Sequence, residues 1–140
     1  LPKPHYIVND VVIFTEKMGY QKEFSQIKKL RIFINQNNFF KMNNINVETL
    51  KNMMDSGEEL QIIDIREDYE LKTEGVIGGL HIPMGELMDR LHELRDDVPV
   101  IFHCRSGKRS ENILNFLKMK NLHSDNYHNL IGGINAWKAL

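Results

Sequence analysis

Short apolar runs that alternate with helical patterns constrain this chain more than any other feature. Leu60 to Asp64 reads as a buried strand, Leu80 to Ile82 as a second ended by Pro83, Val98 to His103 as the longest, and Tyr127 to Leu130 as a fourth. Between them the apolar spacing turns helical. Val47, Leu50, Met53 and Met54 share one face after Asn46, a natural N-cap, and Gly57 supplies a stop. Met84, Leu87, Met88, Leu91 and Leu94 repeat at helical spacing up to the break at Asp96-Asp97. Ile113, Leu114 and Leu117 mark a further helix reaching about Asn121, and Gly132-Gly133 turns into a short helix bearing Ile134 and Trp137. Strands and helices in this order predict an α/β fold on a parallel sheet covered on both faces. Ligands of such sheets bind beyond the carboxyl ends of the strands.

The only cysteine falls at such an end. Cys104-Arg105-Ser106-Gly107-Lys108-Arg109-Ser110 links the strand Val98 to His103 to the helix that follows. Backbone N–H groups at a helix start are unpaired and carry partial positive charge. A thiol held there loses its proton more readily than a free one. Gly107 permits positive φ, which lets successive N–H groups converge on one point. A nucleophilic thiolate in an anion cradle is the expectation.

This loop resembles the active-site loop of rhodanese-like sulfurtransferases, in which Cys-Arg-x-Gly-x-Arg-Ser opens the helix after a central strand. Ile62-Ile63-Asp64-Ile65-Arg66 with Glu70 resembles the family's strand and Asp-x-Arg segment. Ile77-Gly78-Gly79-Leu80-His81-Ile82-Pro83 resembles its second landmark, and Asn129-Leu130-Ile131-Gly132-Gly133-Ile134-Asn135-Ala136-Trp137 its C-terminal one. Together they run from about Asn44 to Leu140 in the family's order. Many members place a histidine just before the isoleucine of the second landmark; here Val76 stands there, beside an insertion of about one residue near Glu74-Gly75. The resemblance implies a three-layer α/β/α domain on a central parallel sheet of about five strands.

It also implies an activity. The Cys104 thiolate would take sulfane sulfur from thiosulfate or a protein persulfide, with a cysteine desulfurase among the candidate donors. It would hold that sulfur as a persulfide and pass it to a thiol or a sulfur-carrier protein. No cofactor or metal is implied. Arg105, Ser106, Gly107, Lys108, Arg109 and Ser110 would bind the substrate. Ile77 to Leu87 together with the cysteine loop looks most like rhodanese domains attached to adenylyltransferases of ubiquitin-like sulfur carriers, which serve molybdopterin, thiamine or thiolated-tRNA pathways. Two alternatives stay open. Phosphatases of the same fold need five residues between cysteine and a phosphate-clamping arginine, a position held here by Ser110, with Arg109 one residue early. Non-catalytic interaction modules of the family usually lose the cysteine.

The single residues carry competing readings. A lone cysteine after a buried strand is often only a small core hydrophobe, and the basic loop argues for reactivity. Three cations at a helix start oppose its dipole, so an anionic substrate for at least one is the simplest justification. Ser106 and Ser110 could donate hydrogen bonds to bound sulfur, and capping the helix is the favoured single role for Ser110. Asp64, Arg66 and Glu70 are expected to be structural support: Arg66 and Glu70, four residues apart, suggest an ion pair. His103 should point to the face opposite Cys104 and is a poor base. The other histidines lack metal-ligand spacing, and Trp137 and the methionines read as core.

Composition sets limits. A chain of 140 residues with 41% apolar and 26% charged residues suits a globular domain with a real core. A net charge of −1 gives no reason to expect nucleic acid or an anionic membrane. One cysteine excludes an internal disulfide, a Cys-x-x-Cys pair and a thiolate zinc cluster. No run approaches the roughly 18 apolar residues of a membrane span, and no secretory signal is visible. A cytoplasmic location is expected. Residues 1–43 read as an N-terminal extension or the tail of a preceding domain, and 44–140 as the rhodanese-like domain. Within the former, His5 to Phe14 suggests a strand or a hairpin, broken at Asn9-Asp10, and Tyr20, Phe24, Ile27, Leu30 and Ile34 suggest a helix. From 35 to 46, six of twelve residues are asparagine, the composition of a linker.

Overall fold

The computed structural model describes residues 42–140 and, in backbone only, the strands Tyr6–Val8 (β1) and Val11–Ile13 (β2). The chain divides into two compact units, Leu1–Lys41 and Met42–Leu140. In the first, β1 and β2 pair antiparallel with Tyr6 opposite Ile13, the hairpin that the sequence suggests. The helix expected from Tyr20 to Ile34 and most of the Asn-rich stretch lie outside the described residues.

The second unit is a parallel sheet dressed with helices. Its elements run β3 (Asn44–Ile45), α1 (Val47–Asp55), β4 (Gln61–Asp64), α2 (Asp68–Glu74), β5 (Leu80–His81), a 3-10 helix (Met84–Glu93), β6 (Val100–His103), α3 (Lys108–Met119), β7 (Tyr127–Leu130) and α4 (Gly133–Lys138). The five strands lie in the order β3-β7-β6-β4-β5, every pair parallel. β6 is central and buried at all four positions. Successive side chains leave a strand on opposite faces, which builds two cores. Ile63, Val100, Phe102 and Tyr127 meet Leu87 of the 3-10 helix and Leu114 and Leu117 of α3 on one face. Ile62, Ile101 and Leu130 meet Val47 and Leu50 of α1, with Ala136 and Trp137 of α4, on the other. The three-layer α/β/α expectation holds.

Local chemistry explains the element ends. Asn46 caps α1 by accepting from the Thr49 N–H at 2.8 Å, and Gly57, at φ +73°, lets the chain leave after Ser56. A β3 strand at the end of the Asn-rich stretch was not expected from so polar a composition. Main-chain bonds to β7 produce it: the Asn129 N–H donates to Asn43 at 2.8 Å and the Ile131 N–H to Ile45 at 2.9 Å. The segment 84–93 is a 3-10 helix rather than an α-helix, with a break in helical geometry at Arg90 (φ −118°). Over ten residues apolar spacing scarcely separates a period of 3.0 from 3.6. Here the Arg90 guanidinium, bonded to Glu86, Glu93 and the His81 carbonyl, holds the break. Trp137 packs on the core as expected, but Met54, Met84, Met88 and Met119 are exposed.

Gly79 shows how closely β5 approaches β4. It sits at φ +95°, and a Cβ there would lie 2.4 Å from the Ile62 carbonyl oxygen. Gly85, at ordinary φ, would place its Cβ in open space. Gly79→Ala is therefore expected to cost about 2–3 kcal/mol and Gly85→Ala no more than about 0.5 kcal/mol, read by urea denaturation. Equal costs would contradict this packing.

Candidate active site

Three segments remote in sequence build the site. β6 delivers Cys104 at its carboxyl end, and the chain turns through Gly107, at φ +91°, into α3. A side chain at Gly107 would press within 3.1 Å of the Leu130 carbonyl oxygen and the Gly132 nitrogen, so glycine is required twice over. The turn Gly132-Gly133 between β7 and α4 then closes on the loop from behind. A Cβ at Gly133 would lie 2.3 Å from the Cys104 carbonyl oxygen. In its absence the Ile134 N–H donates to the Cys104 carbonyl at 2.9 Å and the Asn135 N–H to that of Arg105 at 3.1 Å. The Cys104 and Arg105 carbonyls are thereby fixed on α4, which turns the Arg105 and Ser106 N–H groups of the same peptide units the opposite way. Gly107 N–H donates to Sγ at 3.1 Å.

The thiol is buried, 1% exposed. Burial pushes its pKa up, but the Ser110 hydroxyl and the N–H groups of Ser110, Gly107 and Ser106 outweigh that and hold it below the ordinary thiol value. These donors form the anion cradle expected of the loop. Ser110 differs from its expected role. Gly107 occupies the N-cap position, and Ser110 sits inside α3, where its buried hydroxyl lies 3.5 Å from Sγ, donates to Asn129 Oδ1 and lies 3.2 Å from the Gly107 carbonyl. Asn129, which the sequence reading did not single out, in turn donates to Asn44 at 3.1 Å. Its signal was an asparagine within a buried strand.

Each basic side chain of the loop meets a carboxylate. Arg109 forks onto Glu70: Nη1 donates to Oε2 at 2.8 Å and Nη2 to Oε1 at shorter range. Arg105 is 60% exposed and meets Glu74 at 3.0 Å, and Lys108 is 83% exposed with Glu111 at 3.8 Å. The expected Arg66–Glu70 pair does not form. Glu67 is the N-cap of α2, so Arg66 precedes the helix and the one-turn spacing rule does not apply to it. Instead the fully buried Arg66 binds Asp64 at 2.7 and 3.0 Å, the Gly75 carbonyl at 2.8 Å and Glu74 at 3.5 Å. Arg66 thus clamps the end of β4 to the end of α2. Burial pushes the Asp64 carboxyl up, yet the Arg66 hydrogen bonds and the nearby His103 leave it below the usual range.

His103 points away from Cys104, as strand alternation demands. Its buried ring lies 3.6 Å from Asp64 Oδ2, and burial depresses its pKa. Val76 is 59% exposed. Among the described residues no group of three or more His, Cys, Asp or Glu is arranged to hold a metal. No described helix is long and apolar enough to cross a membrane.

The domain is thus a parallel α/β sheet that presents a buried thiol in a cradle of N–H groups, where its central strand meets a helix. Residues 46–140 match the Rhodanese-like domain family, and the chain belongs to it. A relative from Bacillus subtilis named "Putative sulfurtransferase YtwF" is 34% identical over 68% of this chain and 89% of its own length. Mycobacterium tuberculosis "Probable adenylyltransferase/sulfurtransferase MoeZ" is 33% identical over 63% of this chain and 22% of its own. The crystal structure of a rhodanese-like domain protein from Staphylococcus aureus superposes with a TM-score of 0.59 at 27% identity, covering 69% of this chain and 91% of that one.

The Glu70 carboxylate has a measurable signature. The Arg109 hydrogen bonds hold its pKa at about 2, against 4.5 unperturbed. A depressed carboxyl stabilises the fold fully above the unfolded pKa and loses that contribution as pH falls through the folded one. About 3 kcal/mol should therefore be lost between about pH 4.5 and 2. Glu70→Gln, which retains the helix-start hydrogen bond to Glu67, should flatten that acid limb in urea titrations. An acid limb as steep as the wild type's would assign it to other carboxyls.

Proposed function

We propose that the protein is a sulfurtransferase in which Cys104 carries sulfane sulfur between a donor and an acceptor. The observation that carries this reading is the N–H cradle, with Gly107 N–H at 3.1 Å from a thiol of lowered pKa. The Cys104 thiolate attacks the outer sulfur of a donor. The donor's S–S bond breaks and its bonding pair leaves with sulfite, when thiosulfate is the donor, or with a thiolate, when a persulfide is. Cys104 is left as a persulfide, whose terminal anion the same N–H groups stabilise. An acceptor thiolate, free or on a sulfur-carrier protein, then attacks the outer sulfur; its S–S bond to Cys104 breaks and the bonding pair returns to the Cys104 thiolate. No net oxidant is needed, and no second cysteine stands within the chain to discharge the persulfide early.

Arg109 disfavours the phosphatase alternative. Its fork is occupied by Glu70, and Ser110 stands where a clamping arginine would be needed. The retained cysteine disfavours a purely structural module. The sulfur-carrier context, a cytoplasmic location and a functional unit of 44–140 belong to this proposal. In support of including Asn44, its Oδ1 accepts from Asn129 at 3.1 Å.

Incubation with thiosulfate or glutathione persulfide should add one sulfur atom to Cys104, removable by cyanide, as read by intact-protein mass spectrometry. Cys104→Ser should take up none. Absence of the adduct with every donor would overturn the reading. A chain starting at Met42 should keep most of the activity, and one starting at Val47, lacking β3, should lose stability by at least about 1 kcal/mol, since it removes several hydrogen bonds.

A further inference from the structure

The three cations of the cysteine loop are each met by a carboxylate, and only one of those pairs is firmly closed. Arg105 and Lys108 are exposed, and water screens their pairs with Glu74 and Glu111. Arg109 is different. Glu70 is 6% exposed, accepts both arms of the guanidinium, and is itself held by the Glu67 N–H at 2.8 Å. Glu70 stays ionised at any working pH, because its pKa lies at about 2. The pair is therefore not released by ordinary changes of acidity.

That closure bears on the donor. Thiosulfate is a dianion whose leaving group, sulfite, carries its charge on three oxygens, the geometry an arginine fork recognises. Arg109 reaches from the start of α3 to Glu70 on α2; the Glu70 hydrogen bonds are the chief cause that raises its pKa, and the Cys104 thiolate is a lesser one. With its fork filled, the site offers a departing oxyanion only backbone N–H groups and two solvated cations. An alkyl persulfide makes a smaller demand. In its protonated form it brings no charge to the thiolate. It leaves as a single thiolate after the S–S bond breaks, and its proton is lost from the new Cys104 persulfide to solvent.

We propose that Glu70 is a specificity-determining residue: by closing the Arg109 fork it sets the site for persulfide donors and against oxyanionic ones. The inference rests on the sulfurtransferase reading above. It assigns the donor a chemical class, a low-molecular-weight or protein-borne persulfide.

The test compares glutathione persulfide with thiosulfate in the wild type and in Glu70→Gln, whose remaining oxygen keeps the α2 start and one arm of Arg109 while its amide nitrogen releases the other arm and removes the charge. The wild type should favour the persulfide in kcat/KM. The variant should shift the ratio toward thiosulfate by about tenfold, the factor one charge-assisted hydrogen bond supplies. Glu70→Gln/Arg109→Met should cancel the shift. A wild type that prefers thiosulfate, or a ratio unmoved in Glu70→Gln, overturns the proposal while leaving sulfur transfer standing. The wild-type preference alone decides if the variant does not fold. Should neither donor load Cys104, the transfer reading fails instead. Sulfate protection of Cys104 against iodoacetamide then decides: protection at about tenfold lower sulfate in Glu70→Gln upholds the closed fork, and equal protection overturns it.

Discussion

The site depends on two hydrogen bonds that reach it from the far end of the domain. Ile134 and Asn135, at the start of α4, donate to the carbonyls of Cys104 and Arg105. A peptide unit has its N–H and C=O on opposite sides, so fixing the carbonyls outward turns the neighbouring N–H groups inward. Gly133 makes the approach possible, because any side chain would occupy the space of the Cys104 carbonyl. The Ser106 N–H of the anion cradle is therefore placed by α4 as well as by the loop to which it belongs.

A second constraint runs through the carboxylates of the segment after β4. Asp64 neutralises Arg66, which would otherwise be an unpaired charge with no exposure. Arg66 then closes the loop before Gly75, and Glu70 takes Arg109 from α3. The Arg66 link joins the end of β4 to the end of α2, and the Glu70 link joins α2 to α3. The second of these also takes up one of the three positive charges that the loop sequence displays. Local charge counted along the chain and charge available to a ligand are different quantities here.

Much of this was legible in the residues. The strand at Tyr127 to Leu130, the stop at Gly57, the positive φ of Gly107 and the placement of Cys104 beyond β6 all follow from local chemistry. The less legible parts share one cause. Asn129 looks unremarkable in sequence, and its partners Ser110 and Asn44 stand 19 and 85 positions away. β3 exists only because β7 offers it a partner edge. The 3-10 helix takes its form from an arginine bonded in three directions.

The sequence by itself determined the parallel α/β class and the placement of Cys104 at a helix start, because strand periodicity, glycine conformation and the helix start act over a few residues. It also determined that His103 faces away from the sulfur, since alternation along a strand is local. Only the tertiary structure decided which charges remain free. Arg109 meets Glu70 across 39 positions, and an ion pair of that span forms where the fold brings two elements together. Spacing along the chain carries no record of such a meeting, because its energy arises from burial and geometry that neither segment has alone.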